Sequence, residues 1–117
     1  MGFVQIRELS EKSGSGLEER IKKIISDNPV VVYSKTYCPF SSEVKFLFKR
    51  LDVEAQVIEL DQLGDEGLEM LKVLKRLTDQ HSVPNVFIGG KHIGGCSETL
   101  KLYKEGELED LLAEAEA

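Results

Sequence analysis

The sequence is poor in cysteine, in proline and in positive charge, and it lacks a long apolar run. Only 2 of its 117 residues are cysteines, Cys38 and Cys96, which is too few for a disulfide-stapled scaffold or for a Cys-rich zinc site. No segment approaches the roughly 18 consecutive apolar residues of a membrane-spanning helix. Lys and Arg number 15 against 21 Asp and Glu, a net charge of -6, which argues against a nucleic-acid-binding protein that neutralises phosphates.

What is present is the composition of one globular domain. The chain is 41% hydrophobic and 31% charged, with 10 Gly and only 3 Pro, which excludes a fibrous or a disordered protein. Its length suits a single hydrophobic core. The N-terminus lacks the apolar core of a secretory signal, and Ile6 stands where a myristoylation motif requires Ser or Thr. We therefore expect a cytoplasmic protein with no membrane partner, and an organelle is left open.

The chain divides into a short tail and one domain. Residues 1–16 end in Ser-Gly-Ser-Gly, a flexible composition, and are predicted to form a tail, with the domain at 17–117. Apolar patterns in the domain predict the element order α-β-α-β-α-β-β-α-α. The β-branched run Val30–Tyr33 predicts a buried central strand, and the next strand is predicted over Val53–Leu60. The buried face of the third helix is predicted to consist of Leu68, Leu71, Leu74 and Leu77.

The third and fourth strands are predicted to form a β-hairpin around Gly89-Gly90, because glycine readily takes the positive φ values of a two-residue turn. The second helix is predicted to run from Pro39 to about Leu51. The apolar face of this helix is assigned Phe40, Val44, Leu47, Phe48 and Leu51. Its charged solvent face, with a protein-docking surface as the alternative, is assigned Glu43, Lys45, Lys49 and Arg50.

Cys38 is the residue at which sequence pattern and chemistry first converge. It follows the predicted central strand and precedes Pro39, so it is predicted to be the N-cap of the second helix. The partial positive charge of a helix N-terminus favours a thiolate, and a nearby cation such as Lys35 adds to this effect. Cys38 is therefore predicted to be a reactive nucleophile. The alternative is a small buried hydrophobic residue at the end of a strand.

The segment Lys35–Ser41, Lys-Thr-Tyr-Cys-Pro-Phe-Ser, resembles the active site of the glutaredoxins, which have Cys-Pro-(Tyr/Phe)-Cys or Cys-Pro-(Tyr/Phe)-Ser at a helix start. The segment Ser82–Ile88 is similar to the family's Thr-Val-Pro strand start, and Gly94–Glu98 is similar to its Gly-Gly-Cys-Ser-Asp glutathione clamp. The resemblance covers about residues 17–113. It implies an α/β, thioredoxin-like fold, with a four-stranded mixed sheet flanked by about five helices.

The resemblance also implies that glutathione, a tripeptide thiol with two carboxylates, is the cosubstrate. Lys35 and Gln80 match the family's residues that hold the glycyl carboxylate, a role that suits a cation and an amide donor. The backbone of Val83 matches the strand-like partner of the glutathione cysteine. The peptide bond between Val83 and Pro84 is expected to be cis, as it is in the family.

The other end of glutathione is assigned to the Gly-Gly-Cys-Ser-Glu motif on the same resemblance. The main-chain N–H groups of Cys96 and Ser97, at a predicted helix start, match the site of the γ-glutamyl carboxylate. Glu98 matches the acid that accepts the α-ammonium group, although the family more often has Asp there. Tyr37 is a further candidate contact of glutathione. Its alternative role is a loop aromatic that shields the helix start.

Ser41 stands where a dithiol glutaredoxin carries its resolving cysteine, so Cys38 has no disulfide partner within the motif. A natural serine and a replacement of cysteine are both compatible with the sequence. The reaction expected is monothiol exchange, in which the Cys38 thiolate attacks the glutathionyl sulfur of a mixed disulfide. Expected partners are glutathionylated proteins or small disulfides, and a monomer is expected.

Several alternatives stay open at this point. Cys96 is a candidate resolving cysteine, and the alternative is a thiol that merely packs near the site. His81 and His92 fit no common zinc spacing, so no metal site is predicted. The main rival function is an iron–sulfur cluster held by a dimer through active-site cysteines and glutathiones. Pro39 disfavours it by stiffening the loop. A redox-inert adaptor is the third hypothesis.

Overall fold

The computed structural model describes residues 16–117. The predicted tail lies outside the described residues, apart from Gly16, which is already helical. The first helix, α1, covers residues 16–27. The elements that follow are β1 (Val30–Ser34), α2 (Pro39–Arg50), β2 (Gln56–Glu59), α3 (Asp65–Thr78), β3 (Asn85–Ile88), β4 (Lys91–Gly94), α4 (Cys96–Lys104) and α5 (Leu108–Glu116). A short 3-10 helix, Leu60–Gln62, separates β2 from α3.

The four strands form one mixed sheet in the order β2-β1-β3-β4. β1 pairs in parallel with β2 and antiparallel with β3, and β3 pairs antiparallel with β4. All residues of β1 are buried, as expected for a strand that is apolar on both faces. The predicted hairpin is confirmed, with Gly89 at φ 59° and Gly90 at φ 80° in its turn. The four-stranded mixed sheet with helices around it confirms the expected fold.

Alternate residues of the central strands point into two hydrophobic clusters, one on each face of the sheet. On one face, Val30 and Val32 pack with the apolar side of α2 and with α5. On the other face, Val31 and Tyr33 pack with α1 and α3. The sheet is therefore covered on both sides, and the end of β1, where Cys38 follows, lies between α2 on one face and α3 on the other.

β2 is shorter than the predicted strand Val53–Leu60, because Val53 and Ala55 pack against the core without pairing with β1. Val53 donates its N–H to the Phe48 carbonyl at 2.9 Å, which closes the end of α2. Val53 and Ala55 both pack against the core formed with α2. Leu60 already belongs to the 3-10 helix. The alternating apolar pattern of this segment therefore indicates burial, and only residues 56–59 pair with β1.

The predicted buried face of α3 is wrong at both ends. Leu68 is 58% exposed and Leu77 is 37% exposed. The buried residues of α3 are Gly67, Met70, Val73 and Leu74. Residues spaced by three drift about 60° around a helix at each step, so four leucines in that register cannot share one face.

Gly67 lies in the first turn of α3 and is buried. A Cβ atom at this position would lie 2.0 Å from the carbonyl oxygen of Leu60. Glycine is therefore required for the 3-10 helix to pack directly against the first turn of α3.

Candidate functional site

Cys38 lies in the loop between β1 and α2, and it is the N-cap residue of α2, as predicted. Pro39 occupies the first turn, where its missing N–H is not needed. The Cys38 carbonyl accepts the first helical hydrogen bond, from the Ser42 N–H at 3.0 Å. The Cys38 thiol is half-buried, and it donates to the carbonyl oxygen of Val83 at 3.7 Å.

The surroundings of Cys38 favour its thiolate. Burial opposes ionisation, but hydrogen bonds from the Ser41 hydroxyl and from the N–H groups of Ser41 and Phe40 outweigh burial. The positive charge of Lys35 acts in the same direction, and the pKa of Cys38 lies below its ordinary value. Within residues 16–117, the buried Ser41 hydroxyl has no hydrogen-bond partner while Cys38 is a neutral thiol. It is therefore available to donate to the charged sulfur.

The loop that carries Lys35 and Cys38 is held by an acid that the sequence analysis missed. Asp61, in the 3-10 helix, accepts the Thr36 N–H at 2.9 Å and the Thr36 hydroxyl at 2.5 Å. These hydrogen bonds lower the pKa of Asp61. The pair spans 25 residues of sequence, so no local motif could have revealed it.

The Val83–Pro84 peptide bond is cis, as expected. Pro84 is buried and Val83 is half-buried beside the thiol of Cys38. The Gln80 side-chain amide donates to the carbonyl oxygens of Ser82 at 3.1 Å and of Pro84 at 3.0 Å. Gln80 therefore holds this loop in place through the amide group that was predicted to bind a carboxylate.

The Gly-Gly-Cys-Ser-Glu motif forms the start of α4, with Gly95 as the N-cap and Cys96 as the first helical residue. The carboxylate of Glu98 accepts the Gly95 N–H at 2.7 Å. This hydrogen bond is the main reason why the pKa of Glu98 is lowered. The N–H groups of Cys96 and Ser97 belong to the first turn, where backbone donors have no partner within a helix. The motif therefore presents backbone donors beside an exposed carboxylate.

Cys96 also lies at a helix start, but it differs from Cys38 in its burial and in the charge of its neighbour, which both govern thiol reactivity. Its side chain is 9% exposed and packs into the core cluster beneath α2. Its thiol donates to the carboxylate of Glu43 at 3.6 Å. Burial and, next, the Glu43 charge raise the pKa of Cys96 to about 11. Both cysteines are free thiols.

A cavity of about 580 Å³ lies between the loop of residues 80–84 and the start of α4. Six of the predicted site residues line it, namely Gln80, Val83, Pro84, Cys96, Ser97 and Glu98. Lys35, Tyr37 and Cys38 are not among its lining residues. Cys38 reaches the cavity rim through its contact with Val83, and Tyr37 is 70% exposed in the loop.

The cavity wall also contains Phe40 and Glu43, from the first turns of α2. Phe40 was predicted to lie in the core, but it is 62% exposed. Glu43 was assigned to the solvent face and is exposed, and it also contacts Cys96, which the motif around Cys38 did not indicate. The position of Phe40 and the contact of Glu43 both depend on how α2 and α4 meet.

Two further features of the described chain concern membranes and metals. Among residues 16–117, no helix combines the length and the apolar character needed to cross a bilayer. In the same range, no three His, Cys, Asp or Glu side chains are grouped so as to hold a metal ion.

Comparison with known proteins gives close relatives. The glutaredoxin family model matches residues 30–93. Monothiol glutaredoxin-S12, chloroplastic, from Arabidopsis thaliana is 63% identical over 106 residues, which are 91% of this chain and 59% of the relative. Glutaredoxin-C5, chloroplastic, from the same plant is 60% identical over 102 residues, which are 87% of this chain and 59% of the relative. The chain thus spans about three fifths of the length of these relatives.

Solved structures of similar proteins share the fold over nearly the whole described chain. A crystal structure of a buckwheat glutaredoxin–glutathione complex matches with a TM-score of 0.87 at 42% identity, covering 92% of this chain and 96% of that one. The holo form of glutaredoxin C1 from Populus tremula x tremuloides matches with a TM-score of 0.82 at 41% identity, covering 86% and 98%. With the family model matching more than half of its residues, this chain belongs to the glutaredoxin family.

Proposed function

We propose that this protein is a glutathione-dependent thiol–disulfide oxidoreductase that reduces protein–glutathione mixed disulfides through Cys38. The observation that carries the proposal is the contact between the Cys38 thiol and Val83, at the rim of a cavity lined by the glutathione-clamp residues. The lowered pKa of Cys38 increases the fraction of thiolate, which is the nucleophilic form. The buckwheat glutaredoxin–glutathione complex supports glutathione as the ligand.

The proposed binding mode spreads glutathione across the cavity. Its cysteinyl unit pairs with the Val83 backbone as an added strand beside the cis Pro84. Its γ-glutamyl carboxylate accepts hydrogen bonds from the N–H groups of Cys96 and Ser97, where the N-terminal partial charge of α4 also favours an anion. The α-ammonium group pairs with Glu98. That carboxylate already caps Gly95 through one oxygen and keeps the other available.

The glycyl carboxylate is assigned to Lys35, with Gln80 and Tyr37 as further contacts. Lys35 is half-buried in the loop before Cys38, so its ammonium group serves both the sulfur and the ligand. Gln80 uses both amide hydrogens on backbone carbonyls. Its contact with glutathione therefore requires the exchange of one of these hydrogen bonds. Exposed Tyr37 covers the ligand from the solvent side.

The proposed reaction is an exchange in two steps. The Cys38 thiolate attacks the glutathionyl sulfur of the mixed disulfide, whose S–S bond breaks, and the protein leaves as a thiolate that takes up a proton. A second glutathione, as its thiolate, then attacks the glutathionyl sulfur held on Cys38. Glutathione disulfide leaves, and the Cys38 thiolate is restored. The protein substrate gains the electrons that the second glutathione loses.

With serine at position 41, Cys38 has no second thiol within its motif, and the proposed turnover ends with an external glutathione, which defines the monothiol mechanism. The cavity contributes by holding the glutathionyl group so that the scissile S–S bond lies in line with the attacking sulfur. Recognition then rests on the tripeptide, and the proposed substrates are glutathionylated proteins and small disulfides.

A turnover assay with a glutathionylated peptide tests the proposal. Cys38→Ser should lose essentially all activity while retaining the melting temperature of the parent protein. A Cys38→Ser variant that keeps the full rate would refute the role of Cys38. Intact mass spectrometry after treatment with glutathione disulfide should show one glutathione adduct, on Cys38.

The iron–sulfur alternative and the expected monomer remain predictions. Anaerobic reconstitution with iron, sulfide and glutathione tests both, because a brown protein that elutes as a dimer would favour the cluster. The cytoplasm also remains a prediction, and two relatives named as chloroplastic support a plastid as the second candidate. Imaging of a fluorescent fusion of the full-length protein decides between the two compartments.

A further inference from the structure

Cys96 presents a chemical problem for a monothiol enzyme. It lies at the first position of α4, on the wall of the cavity proposed to hold glutathione. Once Cys38 carries glutathione, a second thiolate near it would compete with the external glutathione. The absence of a cysteine at Ser41 therefore does not by itself ensure the monothiol mechanism.

The competing reaction is a simple exchange. A Cys96 thiolate would attack the Cys38 sulfur of the mixed disulfide, forming a Cys38–Cys96 bond and releasing glutathione as a thiolate that takes up a proton. No electrons are gained or lost overall, so only the protonation state and position of Cys96 decide whether the exchange occurs. The attacking species is the thiolate, and the neutral thiol is inert.

The acidic side chains around Cys96 oppose that thiolate, whereas the partial positive charge at the start of α4 favours it. Glu43 of α2 accepts the thiol hydrogen at 3.6 Å, so its negative charge lies directly beside the sulfur. Glu98 of α4 and the Cys38 sulfur also raise the pKa of Cys96. His92 of β4 interacts electrostatically with Glu98. Burial removes the water that would otherwise stabilise a charged sulfur.

Glu43 is well placed for this role and has no other partner within the described chain. It forms neither a salt bridge nor a further hydrogen bond to residues 16–117. It lies one turn after Phe40 on the cavity side of α2, which faces the start of α4. Burial is the larger cause of the raised pKa of Cys96, and the like charge of Glu43 at this distance adds to it.

We propose that Glu43 is a positioning residue that holds Cys96 as a neutral thiol and thereby keeps this second cysteine out of the exchange at Cys38. The proposal rests on the proposed function of Cys38. It makes the monothiol mechanism depend on two positions, the serine at 41 and the acid at 43. The same contact also fixes the side chain of Cys96, whose backbone N–H is assigned to the ligand.

The decisive variant is Glu43→Gln, which keeps an oxygen acceptor for the thiol and removes only the negative charge. The matched control is Glu54→Gln, an exposed glutamate in the segment between α2 and β2. Both are placed in a Cys38→Ser background, in which Cys96 is the only cysteine. The rate of iodoacetamide alkylation of Cys96 is then followed against pH by mass spectrometry.

Glu43→Gln should move the alkylation profile to lower pH and raise the rate at pH 8 at least about threefold, because the thiolate fraction there grows tenfold per pKa unit. Glu54→Gln should leave the profile unchanged, and Glu43→Asp should restore much of the protection. An unchanged profile in Glu43→Gln would overturn the proposal. Because Cys38 is absent from this measurement, that result leaves the proposed function standing.

A second measurement tests the consequence for exchange. With Cys38 present, the parent protein treated with glutathione disulfide should stop at the glutathione adduct, whereas Glu43→Gln should also form an internal Cys38–Cys96 disulfide. Failure of Glu43→Gln to form that disulfide, despite faster alkylation of Cys96, would overturn the claim that Glu43 prevents the exchange. Loss of any adduct in the parent protein would instead refute the proposed function.

Discussion

The thiol of Cys38 and the carbonyl oxygen of Val83 are joined by a 3.7 Å hydrogen bond across 45 residues of sequence. Cys38 therefore lies against the same backbone that is proposed to pair with glutathione. When Cys38 ionises, its sulfur no longer donates this hydrogen bond. The sulfur then accepts hydrogen bonds from Ser41 and Phe40 at the start of α2. The protonation state of Cys38 thus decides whether its sulfur is hydrogen-bonded to Val83 or to the start of α2.

Ser41→Ala should raise the pKa of Cys38, because the variant removes the hydroxyl that donates to the thiolate. The alkylation rate of Cys38 at pH 6 should fall severalfold, and the profile should move to higher pH. The serine hydroxyl has no other hydrogen-bond partner in residues 16–117, so the melting temperature should not fall. Ser42→Ala, one residue further along α2, is the control. A profile of Ser41→Ala that matches the parent would contradict the role of this hydroxyl.

Glu98 should have two separable functions, as a cap of α4 and as the partner of the ligand's ammonium group. Glu98→Ala should lower the free energy of unfolding by about 0.5 to 1 kcal/mol, because it removes the acceptor of the Gly95 N–H in an exposed position. Glu98→Gln should retain most of the cap and raise the KM for a glutathionylated peptide. Equal KM values in Glu98→Gln and the parent would exclude the ammonium contact.

The cap of Glu98 also has a defined pH dependence. The pKa of this carboxyl is lowered in the folded state, mainly by the Gly95 N–H, so its charge stabilises the fold above the ordinary glutamate pKa. The stability difference between the parent and Glu98→Gln should therefore shrink as the pH falls from about 4.5 through the lowered value. Chemical denaturation at several pH values measures it. A difference that stays constant down to pH 2 would show that the charge is not involved.

Asp61 should act on activity through Thr36 and the loop before Cys38. Asp61→Ala removes both hydrogen bonds to Thr36, and we expect kcat/KM to fall about tenfold. Thr36→Val should account for part of that loss, and the double variant should be no worse than Asp61→Ala. Asp110→Ala, an exposed acid in α5, should have no effect. Additive losses would contradict a role through Thr36.

The corrected buried face of α3 can be tested by stability alone. Leu74→Ala should cost about 2 to 5 kcal/mol, because Leu74 is fully buried in the cluster with Val31 and Tyr33. Leu68→Ala should cost less than about 0.5 kcal/mol, because Leu68 is largely exposed. Both are leucines of the same helix, so helix propensity cancels. Equal losses of stability in the two variants would instead support the predicted buried face that includes Leu68.

The features that were predicted correctly rest on local signals. Pro39 after Cys38 marks a helix start, and Gly89-Gly90 marks a two-residue turn, whatever the rest of the chain does. The central strand was predictable because a run of β-branched residues is apolar on both faces. The structure brings six of the residues assigned through the resemblance to one cavity, while their roles toward glutathione stay a prediction.

The features that were missed depend on contacts between distant segments. Asp61 reaches Thr36 only because the 3-10 helix packs beside the loop, and no periodicity carries that information. Glu43 meets Cys96 because α2 and α4 cross at their first turns. For the same reason, Phe40 faces the cavity instead of the core. Hydrophobic patterns report burial, but they do not report which elements become neighbours.

The segment from β1 to Cys38 is anchored along nearly its whole length. β1 is hydrogen-bonded to a strand on each side, Asp61 accepts a hydrogen bond from Thr36, and Cys38 is the N-cap residue of α2. Only Tyr37 lies between the last two anchors without such a restraint. The conformational entropy of arranging the sulfur is therefore lost during folding and not in each cycle of the proposed exchange. The proposed reaction of Cys38 with a disulfide then needs little reorganisation of the sulfur.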